Sequence, residues 1–156
     1  FVLGYRDDKI KEIITKPIID KYDGIIHSLS EKYDYCKNIK QPGTECDFVG
    51  LTRSGDILLL ELKRYEDTTK IFLSPIQAGK YDDLTTEYIT RYFDDFCTNV
   101  LNMITQKIRM RILKPKWEIP SNFSGKIKRF KIVKEAVKKD IALYTCNEQG
   151  KLITLL

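Results

Sequence analysis

Residues 46–63 read Cys-Asp-Phe-Val-Gly-Leu-Thr-Arg-Ser-Gly-Asp-Ile-Leu-Leu-Leu-Glu-Leu-Lys, and this stretch decides the fold. It predicts two strands joined by a tight turn. The first runs from Asp47 to Thr52; Arg53-Ser54-Gly55-Asp56 supplies the turn, with a glycine available for positive φ. The second runs from Ile57 to Lys63, an apolar run that would be buried on both faces if it sat centrally in a sheet. Its end does not suit a plain buried strand. Glu61 and Lys63 are two apart and project from one face, and a hairpin of this length brings Asp47 beside them.

Taken alone, Glu-x-Lys is most often a surface ion pair on a half-exposed strand. Here an aspartate on the preceding strand and an aliphatic run before the glutamate add a second carboxylate and a buried setting. Carboxylates and an ammonium beside aliphatic side chains are costly unless something binds there. The chemistry suits phosphodiester hydrolysis: two hard carboxylates, Asp47 and Glu61, hold Mg²⁺ or Mn²⁺, and Lys63 orients or helps deprotonate the attacking water.

Asp47 followed by Glu61-Leu62-Lys63 resembles the PD-(D/E)XK nuclease signature, with Cys46 where that motif keeps a proline loosely. Gln77-Ala78-Gly79-Lys80-Tyr81 resembles the Gln-x-x-x-Tyr motif of the RecB-like branch, which includes recombination and CRISPR-associated nucleases. The resemblance implies a restriction-endonuclease-like α/β fold, a mixed central sheet flanked by helices, and a metal-dependent nuclease with DNA favoured over RNA. It also implies that Asp47, Glu61 and the backbone carbonyl of Leu62 bind the metal. Gln77 and Tyr81 would then hold the substrate. Many members carry a metal-binding histidine on the helix before the sheet, a role open to His27, with Glu31 or Glu12 as substitutes.

The rest of the chain fits around this centre. Residues Asp7 to Lys32 have a helical pattern: Ile10, Ile13 and Ile14 form a short stripe, and Pro17 suits the first turn of a second helix. Ile18, Ile19, Tyr22, Ile25, Ile26 and Leu29 then make its apolar face, while His27 and Glu31 lie four apart on the polar side, the usual place of a solvated histidine. Tyr33 to Lys37 is expected as a first strand. Arg64 to Leu73 is expected as a loop with a short extended piece. Ser74-Pro75 reads as a helix start, placing Gln77 and Tyr81 one turn apart; Tyr81 is equally suited to a core. From Thr85 to Leu113, Tyr88, Ile89, Tyr92, Phe93, Phe96, Val100, Met103, Ile104 and Ile108 recur at helical spacing as core residues. Ile127 to Val133, Ile141 to Cys146 and Leu152 to Leu156 are expected as strands, with a turn at Asn147-Glu148-Gln149-Gly150 and helix allowed around Lys134 to Lys139.

Charge is unevenly placed. Residues 107–139 hold twelve Lys or Arg against two acids, +10 in a chain of net +5, so the remainder carries −5. A basic block beside an acidic metal site suits a nucleic-acid backbone, with Lys107, Arg109 and Arg111 as candidate phosphate contacts; a solvated face is the plainer alternative. The four cysteines, Cys36, Cys46, Cys97 and Cys146, form no C-x-x-C pair, so no zinc ribbon is expected; the resemblance ties an iron–sulfur cluster to closely spaced C-terminal cysteines, and with Cys146 alone there none is expected. Scattered thiols point to an intracellular protein, cytoplasmic or nuclear. At 156 residues the chain suits one domain; starting at Phe1 without methionine, it reads as a processed, trimmed or excised piece, and both an oligomer and a larger parent protein stay open. No membrane partner is expected. Two rivals stand beside the deoxyribonuclease reading: an RNA endonuclease of the cap-snatching kind, and a non-catalytic nucleic-acid-binding module.

Overall fold

In a computed structural model the described residues are 11–40, 46–51, 53, 54, 56–63, 71–91, 94, 123–146 and 149–156. They form a mixed α/β structure with three α-helices and two small antiparallel sheets. A single wide-wound turn, Lys11–Thr15, leads into α1 (Lys16–Lys32), where Pro17 occupies the first turn and needs no hydrogen-bond acceptor there. Its predicted stripe faces inward: Tyr22, Ile26 and Leu29 are buried, with Ile18 and Ile25 packed beside them.

Tyr33 to Lys37 is not a strand. Tyr33 is extended, but Asp34–Cys36 closes a tight helical turn in which the Lys37 N–H donates to the Asp34 carbonyl at 3.1 Å. Packing decides this. Cys36 is buried, and the Tyr35 ring meets Phe72 edge-on at 5.2 Å with the Arg129 guanidinium 4.7 Å from its centroid. An extended strand would pull these contacts apart.

The hairpin forms as β1 (Phe48–Leu51) and β2 (Ile57–Leu60), antiparallel, with Phe48 opposite Leu60 and Leu51 opposite Ile57. Both strands are shorter than expected, and β2 is not buried on both faces. Val49 and Leu59 pack inward on Ile14, Cys46, Tyr81 and Leu84, whereas Phe48, Leu58 and Leu60 are exposed. In the turn the Ser54 hydroxyl donates to the Asp56 carboxylate at 2.6 Å; Gly55 lies outside the described residues.

A helical turn at Ile71–Leu73 runs straight into α2 (Ser74–Arg91), where Ser74 donates its hydroxyl to the Ile71 carbonyl and Pro75 fills the first turn. The helical pattern expected to restart at Thr85 is an unbroken continuation of α2 as far as Arg91. Its remainder to Leu113, apart from Asp94, lies outside the described residues, as do Arg64 to Lys70.

The clearest correction is at Ile127 to Val133, expected as a strand. These residues lie inside α3 (Phe123–Val137). The run Lys-Ile-Lys-Arg-Phe-Lys-Ile-Val loosely alternates, which favours a strand locally. The buried set, however, is Lys126, Phe130, Val133 and Val137, spaced four, three and four apart. That is a helical stripe, and it packs against α1, α2 and the Ile71–Leu73 turn. The helix ends where Lys138 takes a positive φ of 58° and its N–H donates to the Lys134 carbonyl. Finally, β3 (Tyr144–Cys146) and β4 (Leu152–Thr154) pair antiparallel, with Gly150 at a φ of 78° between them.

The helices are clamped at one point. Tyr22 on α1 and Lys139 beyond α3 both donate to Asp83 on α2, at 2.8 and 2.7 Å, and Lys21 adds a third bond at 2.8 Å. Burial alone would raise the Asp83 carboxyl; these donors outweigh it and hold it below the ordinary carboxylate range. Among the described residues no helix is long and apolar enough to cross a membrane.

Candidate active site

The hairpin register determines which side chains meet. Continuing the ladder one residue past Phe48 and Leu60 sets Asp47 opposite Glu61. Asp47, at an exposed bend, meets Glu61 across the mouth of the hairpin, and the alternation of burial continues past β2, so Glu61 and Lys63 lie on the same side as Leu59. That is the inner side, toward α2. Leu62 points the other way and is 61% exposed. Cys46 seals the open end of the hairpin: its thiol donates to the carbonyls of Phe48 and Leu60 at 3.2 and 3.4 Å. Burial raises the Cys46 thiol above its ordinary value, so it stays protonated and serves as a donor.

Four side chains converge. The Leu62 N–H donates to Asp47 Oδ2 at 2.7 Å, which anchors one carboxylate oxygen across the mouth of the hairpin. The Lys63 ammonium bonds Glu61 Oε1 and also donates to Gln77 Oε1 at 3.0 Å. Glu61 is only 9% exposed and Lys63 26%. Burial pushes the Glu61 carboxyl up; Lys63 draws it down, Asp47 pushes it up again, and the net result is a raised value. A largely buried carboxyl raised by burial and a neighbouring carboxylate is the electrostatic condition a bound cation would relieve.

The other sequence-predicted residues are placed differently. Gln77 reaches the site, but as a partner of Lys63. Tyr81 is buried against Ile14, Cys46 and Leu84, inside the small core beneath the hairpin. His27 is not brought to the carboxylates. It is 76% exposed, its Nε2 lies 3.2 Å from Glu31, and it sits about two and a half turns beyond Ile18, on the opposite face of α1 from the residues under the hairpin. The Glu12 side chain and Lys107, Arg109 and Arg111 lie outside the described residues. Among the described residues no group of three or more His, Cys, Asp or Glu side chains is placed to hold a metal. The carboxylates that meet at this strand end are Asp47 and Glu61. Their oxygen chemistry fits Mg²⁺ or Mn²⁺ and not a soft metal.

The partnership between Gln77 and Lys63 escaped the sequence reading. The motif drew attention to Gln77, but no pattern says which of its neighbours, fourteen residues away, it meets. Comparison with protein-family models, with curated proteins and with solved structures finds no match to this chain.

Proposed function

We propose that the chain is a metal-dependent nuclease of the PD-(D/E)XK kind, on a restriction-endonuclease-like fold, cleaving nucleic-acid phosphodiester bonds with DNA favoured. One observation carries the reading. Asp47, Glu61 and Lys63 meet at the mouth of the hairpin, with Glu61 largely buried and its carboxyl raised by that burial and by Asp47. A structural ion pair needs one carboxylate; a second one pushed against it is destabilising by itself and is explained by a ligand.

Asp47, Glu61 and the Leu62 carbonyl would hold Mg²⁺ or Mn²⁺, which when bound supplies Lewis-acid stabilisation of phosphate charge. The chain's own residues do the rest. The Leu62 N–H holds one Asp47 oxygen in place. Lys63, at the edge of the carboxylate pair, orients the attacking water and brings positive charge to the phosphate. Lys128 and Lys131 on α3 and Lys138 just past its end are exposed, a basic surface suited to a phosphate backbone.

The test is a cleavage assay on end-labelled single-stranded, double-stranded and circular DNA and on RNA, with Mg²⁺, Mn²⁺ or EDTA. Metal-dependent cutting of DNA, lost in Glu61→Gln and Asp47→Asn, is the expected result. Cutting of RNA alone would move the substrate to the cap-snatching type of endonuclease. Binding that survives EDTA, with no cutting by either wild type or variants, would replace the nuclease with a binding module.

A further inference from the structure

The motif that suggested Gln77 as a substrate contact does not account for where its oxygen goes. An ammonium only donates, so the carboxamide must turn Oε1, its sole side-chain acceptor, toward Lys63, at 3.0 Å. Lys63 is thereby held by two elements of different origin. Glu61 belongs to the same strand end and moves with it. Gln77 belongs to α2 and does not.

The α2 segment around Gln77 is firmly seated. Ile76 and Leu84 are fully buried, Tyr81 is 2% exposed, and Gly79 lies against Val137 and the Tyr22 hydroxyl so closely that a Cβ there would meet them at 2.5 and 2.9 Å. A lysine side chain has many rotamers, and holding it in one costs entropy. Left to Glu61 alone, its ammonium would follow the strand end and sample solvent. We infer that Gln77 is a positioning residue, whose carboxamide oxygen fixes the Lys63 ammonium beside the Asp47–Glu61 pair and so ties the site to α2. The inference rests on the nuclease reading for its consequence in the reaction, but the clamp itself is a property of the chain.

Gln77→Met keeps length and removes the acceptor; Gln77→Glu keeps an acceptor. Two measurements separate the possibilities: steady-state cleavage, and ¹⁵N relaxation of the Lys63 side-chain NH₃⁺ in ¹⁵N-lysine-labelled protein. With Gln77→Met, kcat should fall roughly 10- to 100-fold at unchanged KM, the scale set by misplacing a catalytic group by about an ångström. The Lys63 ammonium should become measurably more mobile, and Gln77→Glu should restore its order. A raised KM with kcat intact, or an equally ordered Lys63 in Gln77→Met, overturns the inference and returns Gln77 to substrate binding. A wild type inert on every substrate and metal overturns the nuclease reading and the positioning role with it, and the relaxation data distinguish that failure from absence of the clamp.

Discussion

Replacing Gly79 by alanine sets two known effects against each other. Gly79 lies mid-helix in α2, where alanine is intrinsically favoured by about 1 kcal/mol. The added methyl, however, would stand 2.5 Å from Val137 Cγ1 and 2.9 Å from the Tyr22 hydroxyl. Neither neighbour can easily yield. Val137 is buried and its methyl is attached at a branched Cβ, and the Tyr22 oxygen is held by its 2.8 Å bond to Asp83. Overpacking of this kind costs about 1–3 kcal/mol, and here it also pulls on the bond between α1 and α2. The net expectation is a loss of up to about 2 kcal/mol. Gly125 supplies the control: it lies in α3, is exposed, and nothing stands within 4 Å of its Cβ position. Gly125→Ala should therefore gain about 0.5–1 kcal/mol. Urea unfolding followed by far-UV circular dichroism would place the two midpoints on opposite sides of wild type at constant m. In thermal melts the separation should be up to roughly 10 °C for a chain of this size. If Gly79→Ala stabilises as much as Gly125→Ala, the close seating of α2 on α1 and α3 is wrong, and with it the rigid backing of Gln77.

Three further outcomes follow from the charges. The Asp83 carboxyl is held below its ordinary value of 3.8, so its contribution is complete above that pH and is lost as pH falls through the lower folded value. The melting difference between wild type and Asp83→Asn should hold near neutrality and close below about pH 4; a difference constant down to pH 2 would contradict the pairing. Glu61 has the opposite sign. Its raised carboxyl costs stability once pH climbs through the folded value, so Glu61→Gln should melt higher than wild type at pH 7 without metal and lose that advantage below about pH 4. A lower melting point at pH 7 would mean that the Lys63 pairing outweighs the crowding of the two carboxylates. Lys126 is 7% exposed and its ammonium has no hydrogen-bond partner among the described residues, so Lys126→Met should stabilise by about 1 kcal/mol or more. Destabilisation in the same unfolding assay would reveal a counter-charge.

The candidate site shows why reading a strand end for chemistry succeeds only in part. Parity alone places Glu61 and Lys63 together, because side chains alternate whatever the strand packs on. Bringing Asp47 opposite Glu61 needs the register as well, and the short turn limits register to a few choices. His27 shows the limit. Its helix was legible from periodicity, but which helical face meets the hairpin depends on how α1 sits, and Ile14 and Ile18 take that position instead. Tyr81 was open to two readings, as a substrate contact or as core. Its burial decides its packing and leaves its predicted role in substrate binding without a surface to act from.

What the sequence by itself determined is local: α1 with Pro17 in its first turn, the hairpin around residues 53–56, the start of α2 at Ser74-Pro75, and the terminal strand pair turning at Gly150. Each depends on torsional preference or on a periodicity carried within a few neighbouring residues. Tertiary structure alone decided that Ile127 to Val133 coil into a helix, that Tyr33 to Lys37 turn back, that one face of β2 is left exposed, and that Gln77 meets Lys63. In each of these the local preference is weak or divided, so burial against residues distant in the chain, worth more than propensity, makes the choice.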